Sequence, residues 1–89
     1  MAPRLKVQER KLGRENALGL AWKGSGLIEL DPRLKGRQRL EVLVHESLHH
    51  LFIDASEETV DATGRKIAAL LWAQGYRRVD VHDKPKDRI

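Results

Sequence analysis

The chain has no cysteine. That absence excludes disulfide staples, thiolate metal sites and cysteine nucleophiles together, and it fits a reducing compartment. Aromatic residues are scarce, with only Trp22, Phe52, Trp72 and Tyr76, so a core must be built mainly from aliphatic side chains. Long apolar runs are missing too. A stretch such as 68–73 falls far below the ~20 residues a bilayer span requires. The opening MAPRLKVQER scatters charge where an export signal needs an apolar segment. The expectation is a soluble, cytoplasmic protein with no membrane partner. There is no repeat, low-complexity tract or Gly/Ser linker, so residues 1–89 are read as one domain, with a mobile, charged tail from 83.

Charge is present in both signs. Lys and Arg number 17 against 13 Asp and Glu, for a formal net charge of +4. An excess of that size permits an acidic partner without demanding one.

The first third of the chain reads as strands. Residues 5–8 alternate apolar and polar, and 17–22 form a mostly apolar run. Lys23-Gly24-Ser25-Gly26 is a turn signal, because glycine supplies the positive φ that tight hairpins need. Residues 27–30 return as the second arm, which predicts a hairpin over 16–31. The remainder reads as two helices. Over 38–52, Leu40, Val44, Leu48 and Leu51 recur at helical spacing and predict one apolar stripe. Ser56 is placed to cap the second helix, with Glu57 and Glu58 favourable in its first turn. Its stripe is Val60, Gly64, Ile67 and Leu71, and Gly75 marks its end. Residues 77–81 are expected to add a short strand.

The first helix carries His45-Glu46-Ser47-Leu48-His49, an HExxH sequence. Side chains four apart lie one turn apart on one face, so two imidazoles can converge on a single zinc ion. Glu46 is offset by about 100°, where a carboxylate can flank a metal-activated water as general base. Shuffling this composition yields the motif by chance in roughly 1 case in 100. Both histidines point roughly 105–145° away from the Leu40/Val44/Leu48/Leu51 stripe, toward the rim of the core.

In these residues the sequence resembles the zincin metallopeptidases, particularly short gluzincin-like HExxH proteins of bacteria and phages. The resemblance runs through Leu27-Ile28-Glu29-Leu30-Asp31 and Leu43-Val44-His45-Glu46-Ser47-Leu48-His49-His50-Leu51-Phe52. It implies His45 and His49 as zinc ligands and Glu46 as the catalytic acid/base. The metzincin extension is absent, since it would need glycine at Phe52 and histidine at Ala55. A carboxylate on the second helix is then the third ligand, with Glu57, Glu58 and Asp61 as candidates. Glu57 lies roughly 50° from the stripe of its helix, Asp61 about 90° and Glu58 about 150°. Glu57 is therefore the favoured ligand. The gap after His49 is short for a gluzincin, which would bring Asp61 nearer the metal's level; Asp61 is otherwise expected to hold a ligand's free N–H.

Four basic residues, Arg33, Lys35, Arg37 and Arg39, crowd the segment before the first helix and oppose its dipole. Without interleaved aromatics, they read as a solvated loop in preference to a nucleic-acid site. His50 is expected at the surface and Trp22 and Trp72 in the core. A metal role for His82 is remote, and packing is favoured over oxyanion binding for Tyr76. The expected fold is a small zincin-like α+β domain, an antiparallel three- to four-stranded sheet packed on two antiparallel helices. The expected function is zinc-dependent hydrolysis of a peptide or protein. The alternatives are a metal-stabilised binding module that does not cut its partner, and a basic nucleic-acid binder.

Overall fold

Alternation in the first third is expressed as three short strands, β1 (Lys6–Glu9), β2 (Gly19–Trp22) and β3 (Leu27–Leu30). The structure is a computed structural model and describes residues 4–79. Strands β2 and β3 form the expected antiparallel hairpin, with Gly19 opposite Leu30 and Trp22 opposite Leu27. Strand β1 pairs with β3 in parallel, Lys6 opposite Leu27, giving the order β1-β3-β2. The sheet is therefore mixed, which corrects the all-antiparallel expectation. The reason lies in the composition of the strands. β3 carries the fully buried Ile28 and Leu30 and takes the centre, while the polar β1 (KVQE) is exposed along its length and suits an edge.

Two carboxylates are buried around β3. Glu29 is 4% exposed. Its oxygens accept hydrogen bonds from Gln8 Nε2 (2.6 Å), Arg10 Nε and Nη2 (both 2.9 Å) and Trp22 Nε1 (2.8 Å). Trp22 thus lies over the sheet with 46% of its surface exposed, and does not enter the core as expected. Asp31 accepts from the backbone N–H of Leu12 (2.9 Å) and of Arg33 (2.9 Å) and from Arg33 Nε (2.8 Å). These bonds tie the chain on both sides of the sheet into place, and Leu12 and Leu34 are fully buried beside them. Leu34 sits inside the basic segment that reads as a solvated loop. Together with Ile28 and Leu30 it forms the core cluster, against which Leu5, Val42 and Leu43 pack.

Two helices follow, α1 (Gly36–Leu51) and α2 (Glu57–Ala73). Ser56 caps α2, its Oγ accepting from Thr59 N–H at 3.1 Å, and Gly75 after the helix takes φ 90°. Helix α1 is covered on two sides, by the sheet and by α2. The sheet side presents Val42 and Leu43, and the α2 side presents Leu48. A helix buried on two sides has no single stripe, so Leu51 from the expected one is 59% exposed. On α2 the buried positions are Val60, Gly64 and Ala68, four apart, while Ile67 lies largely outside the seam.

His50 is not a surface residue: it is partly buried, with Nε2 3.0 Å from Leu27 O, and links α1 to β3. Residues 77–79 are not in a strand. The rest of that expected strand, His82 and the tail from 83 lie outside the described residues. No described helix is long and apolar enough to cross a membrane.

The Glu29 contacts generate a pH prediction. Its carboxyl is held down to about 2 from an ordinary 4.5, chiefly by the Arg10 hydrogen bonds and then by Trp22, against the opposing effect of burial. A group depressed on folding contributes stability above its unfolded pKa and loses it as pH falls toward the folded value. The midpoint of urea unfolding should therefore fall between about pH 4.5 and pH 2, and that fall should be shallower in Glu29→Gln. Parallel pH curves for the two proteins would contradict the assignment.

Candidate metal centre

The two-sided packing of α1 divides the HExxH residues between its neighbours. His45 faces α2, where a Cβ added at Gly64 would stand 3.5 Å from His45 Cα. That is ordinary contact distance, so the small residue at Gly64 leaves the two helix backbones packed closely there, with the first turn of α2 near the histidines. Glu46 faces β2 instead. A Cβ added at Gly19 would lie 2.5 Å from Val42 Cγ1 and 3.2 Å from Glu46 Cγ. A glycine inside an apolar strand signals such a close backbone approach, and Gly19 is the signal of this contact in the sequence.

Three side chains converge at the α1–α2 seam. His45 Nε2 lies 3.2 Å from His49 Nε2 and 3.1 Å from Glu57 Oε2, and His49 Nε2 is 3.0 Å from Glu57 Oε1. Both imidazoles are largely buried, while Glu57 is 68% exposed at the helix start. One donor atom from each lies within 4.8 Å of the others, and such a group can hold a metal ion. Asp61, one turn further along α2, has Oδ1 3.8 Å from His45 Nδ1 and Oδ2 3.2 Å from Arg65 Nε. It stands behind the ring, on the nitrogen that faces away from Glu57. Glu58 is exposed and does not join the group.

Glu46 lies beside this cluster without entering it. Burial pushes its carboxyl above the ordinary carboxylate range, and the nearby Glu57 adds to the rise, while His45 and His49 oppose it. It opens onto a cleft of about 310 Å³ whose walls include Gly19, Val42, His45, Asp61 and Arg65. Tyr76 is remote from this cleft. It follows the opposite end of α2, separated from Glu57 by about 25 Å of helix rise, so the suggested oxyanion role is ruled out by position.

Comparison with protein-family models, curated proteins and solved structures finds no match to this chain. The chemistry of the site therefore rests on its own donor set and geometry.

Two outcomes follow. In a competition titration with zinc, Glu57→Gln should lose more than about 100-fold in affinity, because an outer partner alone typically contributes ~10–100-fold. Glu58→Gln should bind as the wild type does; equal losses in both would remove Glu57 from the ligand set. Separately, Gly19→Ala should lower unfolding stability by about 1–3 kcal/mol through overpacking against Val42, measured by urea denaturation.

Proposed function

We propose that this protein is a zinc-dependent metallopeptidase, with His45, His49 and Glu57 holding the metal and Glu46 acting as general base. The observation that carries the reading is the convergence of three donors with a fourth, partly buried carboxylate next to them on the cleft side. A tetrahedral zinc site with bonds of about 2.0–2.1 Å has donor–donor edges of roughly 3.3–3.4 Å. The two imidazole nitrogens, 3.2 Å apart, come close to such an edge, and Glu57 reaches them with different oxygens, Oε2 at 3.1 Å from His45 and Oε1 at 3.0 Å from His49; imidazole and carboxylate donors suit zinc. A set of three protein donors is the kind hydrolytic zinc sites use, whereas structural sites use four.

When bound, zinc supplies Lewis acidity, lowering the pKa of a coordinated water toward 7 and polarising the scissile carbonyl. Glu46 accepts a proton from the attacking water at its carboxylate as the new carbon–oxygen bond forms. It then passes that proton to the departing amine nitrogen as the carbon–nitrogen bond breaks. Asp61 lies on the Nδ1 side of the His45 ring at 3.8 Å, beyond hydrogen-bond distance, and acts on it only as a nearby negative charge. Strand β2 is an edge of the sheet and runs past Glu46 at Gly19, which supports binding of an extended peptide through backbone hydrogen bonds along that edge.

One observation favours a second reading. The donors come from both α1 and α2, so a metal there would also staple the helix pair of a small domain. That is the behaviour of a metal-stabilised binding module with no hydrolytic activity. Glu46→Gln separates the two readings. The peptidase reading expects zinc retained near one per chain and cleavage of a fluorogenic peptide library reduced by roughly 100–10,000-fold. Unchanged cleavage in the variant rejects Glu46 as the base. A zinc-loaded wild type that melts higher yet cleaves no peptide selects the binding module.

A further inference from the structure

At the other end of the helix pair, the start of α1 and the end of α2 enclose a second cleft of about 430 Å³. Its floor is apolar, built on Leu40, Leu43 and the ring of Trp72, with Tyr76 beside it and 64% exposed. Its rim is basic: Lys35 immediately precedes α1, Arg39 lies in its first turn, and Arg77 and Arg78 come from the segment after α2. The Arg77 guanidinium stacks 3.5 Å above the Trp72 ring and donates to Trp72 O and Tyr76 O, both at 2.9 Å. Arg39 Nε is buried without a hydrogen bond, its nearest charge partner being Glu9 Oε2 at 3.5 Å. Glu9 also pairs with Arg78 at 3.2 Å, so one carboxylate is shared by two of the four cations that line the cleft.

The linear sequence separates the basic residues of 33–39 from every aromatic side chain, and on that ground the segment reads as a solvated loop. The fold removes the separation. It brings Trp72 and Tyr76, more than thirty residues away in the chain, to the cations at the start of α1. Basic residues at that helix start oppose its dipole, and its first turn holds no acidic residue and no side-chain cap, although Arg37 pairs with Glu41 at 3.3 Å. Planar faces set among guanidinium and ammonium groups match one chemical class of ligand, bases joined by phosphates. Bases stack on aromatic rings and on arginine planes alike, and the cations follow the backbone.

We propose that this cleft binds single-stranded nucleic acid, with Tyr76 and the Arg77–Trp72 stack as the base platform and Lys35, Arg39 and Arg78 as phosphate contacts. The site is separate from the metal centre and does not depend on it. The cavity lies within the range of specific small-ligand pockets and accommodates a nucleotide or two, the remainder of the strand running over the basic rim.

Fluorescence anisotropy of a labelled oligothymidylate with the full chain tests this. With about three phosphate contacts, raising salt from about 50 to 200 mM should weaken binding roughly 20-fold, from a slope near −0.7 per contact. Tyr76→Ala, at an exposed position, should weaken it roughly 5- to 150-fold, the range for loss of one stacked base. Lys35→Glu with Arg78→Glu should abolish it and leave the circular-dichroism spectrum unchanged, whereas His45→Ala should bind as the wild type does. Binding as strong as that of the wild type in Tyr76→Ala or in the double variant overturns the proposal. So does displacement of the oligonucleotide by polyglutamate at equal charge concentration, which would assign the cleft to an acidic polypeptide.

Discussion

Where α2 crosses α1, the backbone at Gly64 comes within side-chain contact distance of the His45 backbone. Where β2 crosses it, the backbone at Gly19 comes closer to Val42 than any side chain would allow. These two approaches hold α1 between a helix and a sheet, and the candidate site depends on both. The crossing at Gly64 lets the first turn of α2 reach two histidines spaced one turn apart. The crossing at Gly19 sets an edge strand against Glu46. A helix buried on one side could have met only one of these demands, because His45 and Glu46 point about 100° apart. Two-sided packing thus gives the candidate ligand His45 and the proposed base Glu46 different neighbours while they stand one residue apart in the chain.

Few large side chains are available to fix that arrangement. Among the described residues, the fully buried apolar side chains are Leu12, Ile28, Leu30, Leu34 and Ala68, with Val60 and Leu48 close behind. Much of the remaining order comes from two buried carboxylates on and just after β3. Glu29 collects Gln8, Arg10 and Trp22 over the open face of the sheet, and Asp31 joins Leu12 to the entry of α1. Both carboxyls sit well below their ordinary range, Glu29 through Arg10 and Asp31 through Arg33, so both are charged acceptors at neutral pH. In a chain without disulfides, charge-assisted hydrogen bonds take over the fastening of strand to loop. Removing one partner leaves a buried charge exposed to the full cost of desolvation, which makes this network a strict constraint on the fold.

The sequence was most informative where the signal is local. Alternation, the Gly24–Gly26 turn, the Ser56 cap and the terminal Gly75 each act within a few residues, and the hairpin and both helices lie where those signals put them. What escaped was set by distant partners. The parallel pairing of β1 depends on β3 entering between β1 and β2, which no local pattern encodes. The stripe on α1 failed at Leu51 because two surfaces, and not one, cover the helix. Leu34 was hidden among basic residues, and Trp22 was drawn outward by a hydrogen bond to Glu29. At the candidate site, spacing alone left Glu57, Glu58 and Asp61 open. The carboxylate brought to both imidazoles is Glu57, since its longer side chain reaches back from the first turn of α2 while Asp61 stops behind His45.

The two ends of the helix pair consequently differ in chemistry. One gathers imidazoles and carboxylates where α2 begins; the other gathers arginines and aromatics where α2 stops. The segregation is consistent with helix electrostatics at α2, whose start carries Glu57 and Glu58 and whose end is followed by Arg77 and Arg78. At α1 the same rule is broken, with Lys35 and Arg37 at the positive end and no acidic residue in the first turn. Antiparallel packing explains why a cost there can be tolerated: the start of α1 lies beside the end of α2, whose carbonyl dipoles favour positive charge. The cations at the second cleft are therefore compensated by the partner helix in the absence of any ligand. An anion entering that cleft would compete with this compensation, and its affinity must come from the aromatic floor as much as from charge. For that reason Tyr76 and the Arg77–Trp72 stack, more than the count of basic residues, decide whether the cleft discriminates among anions.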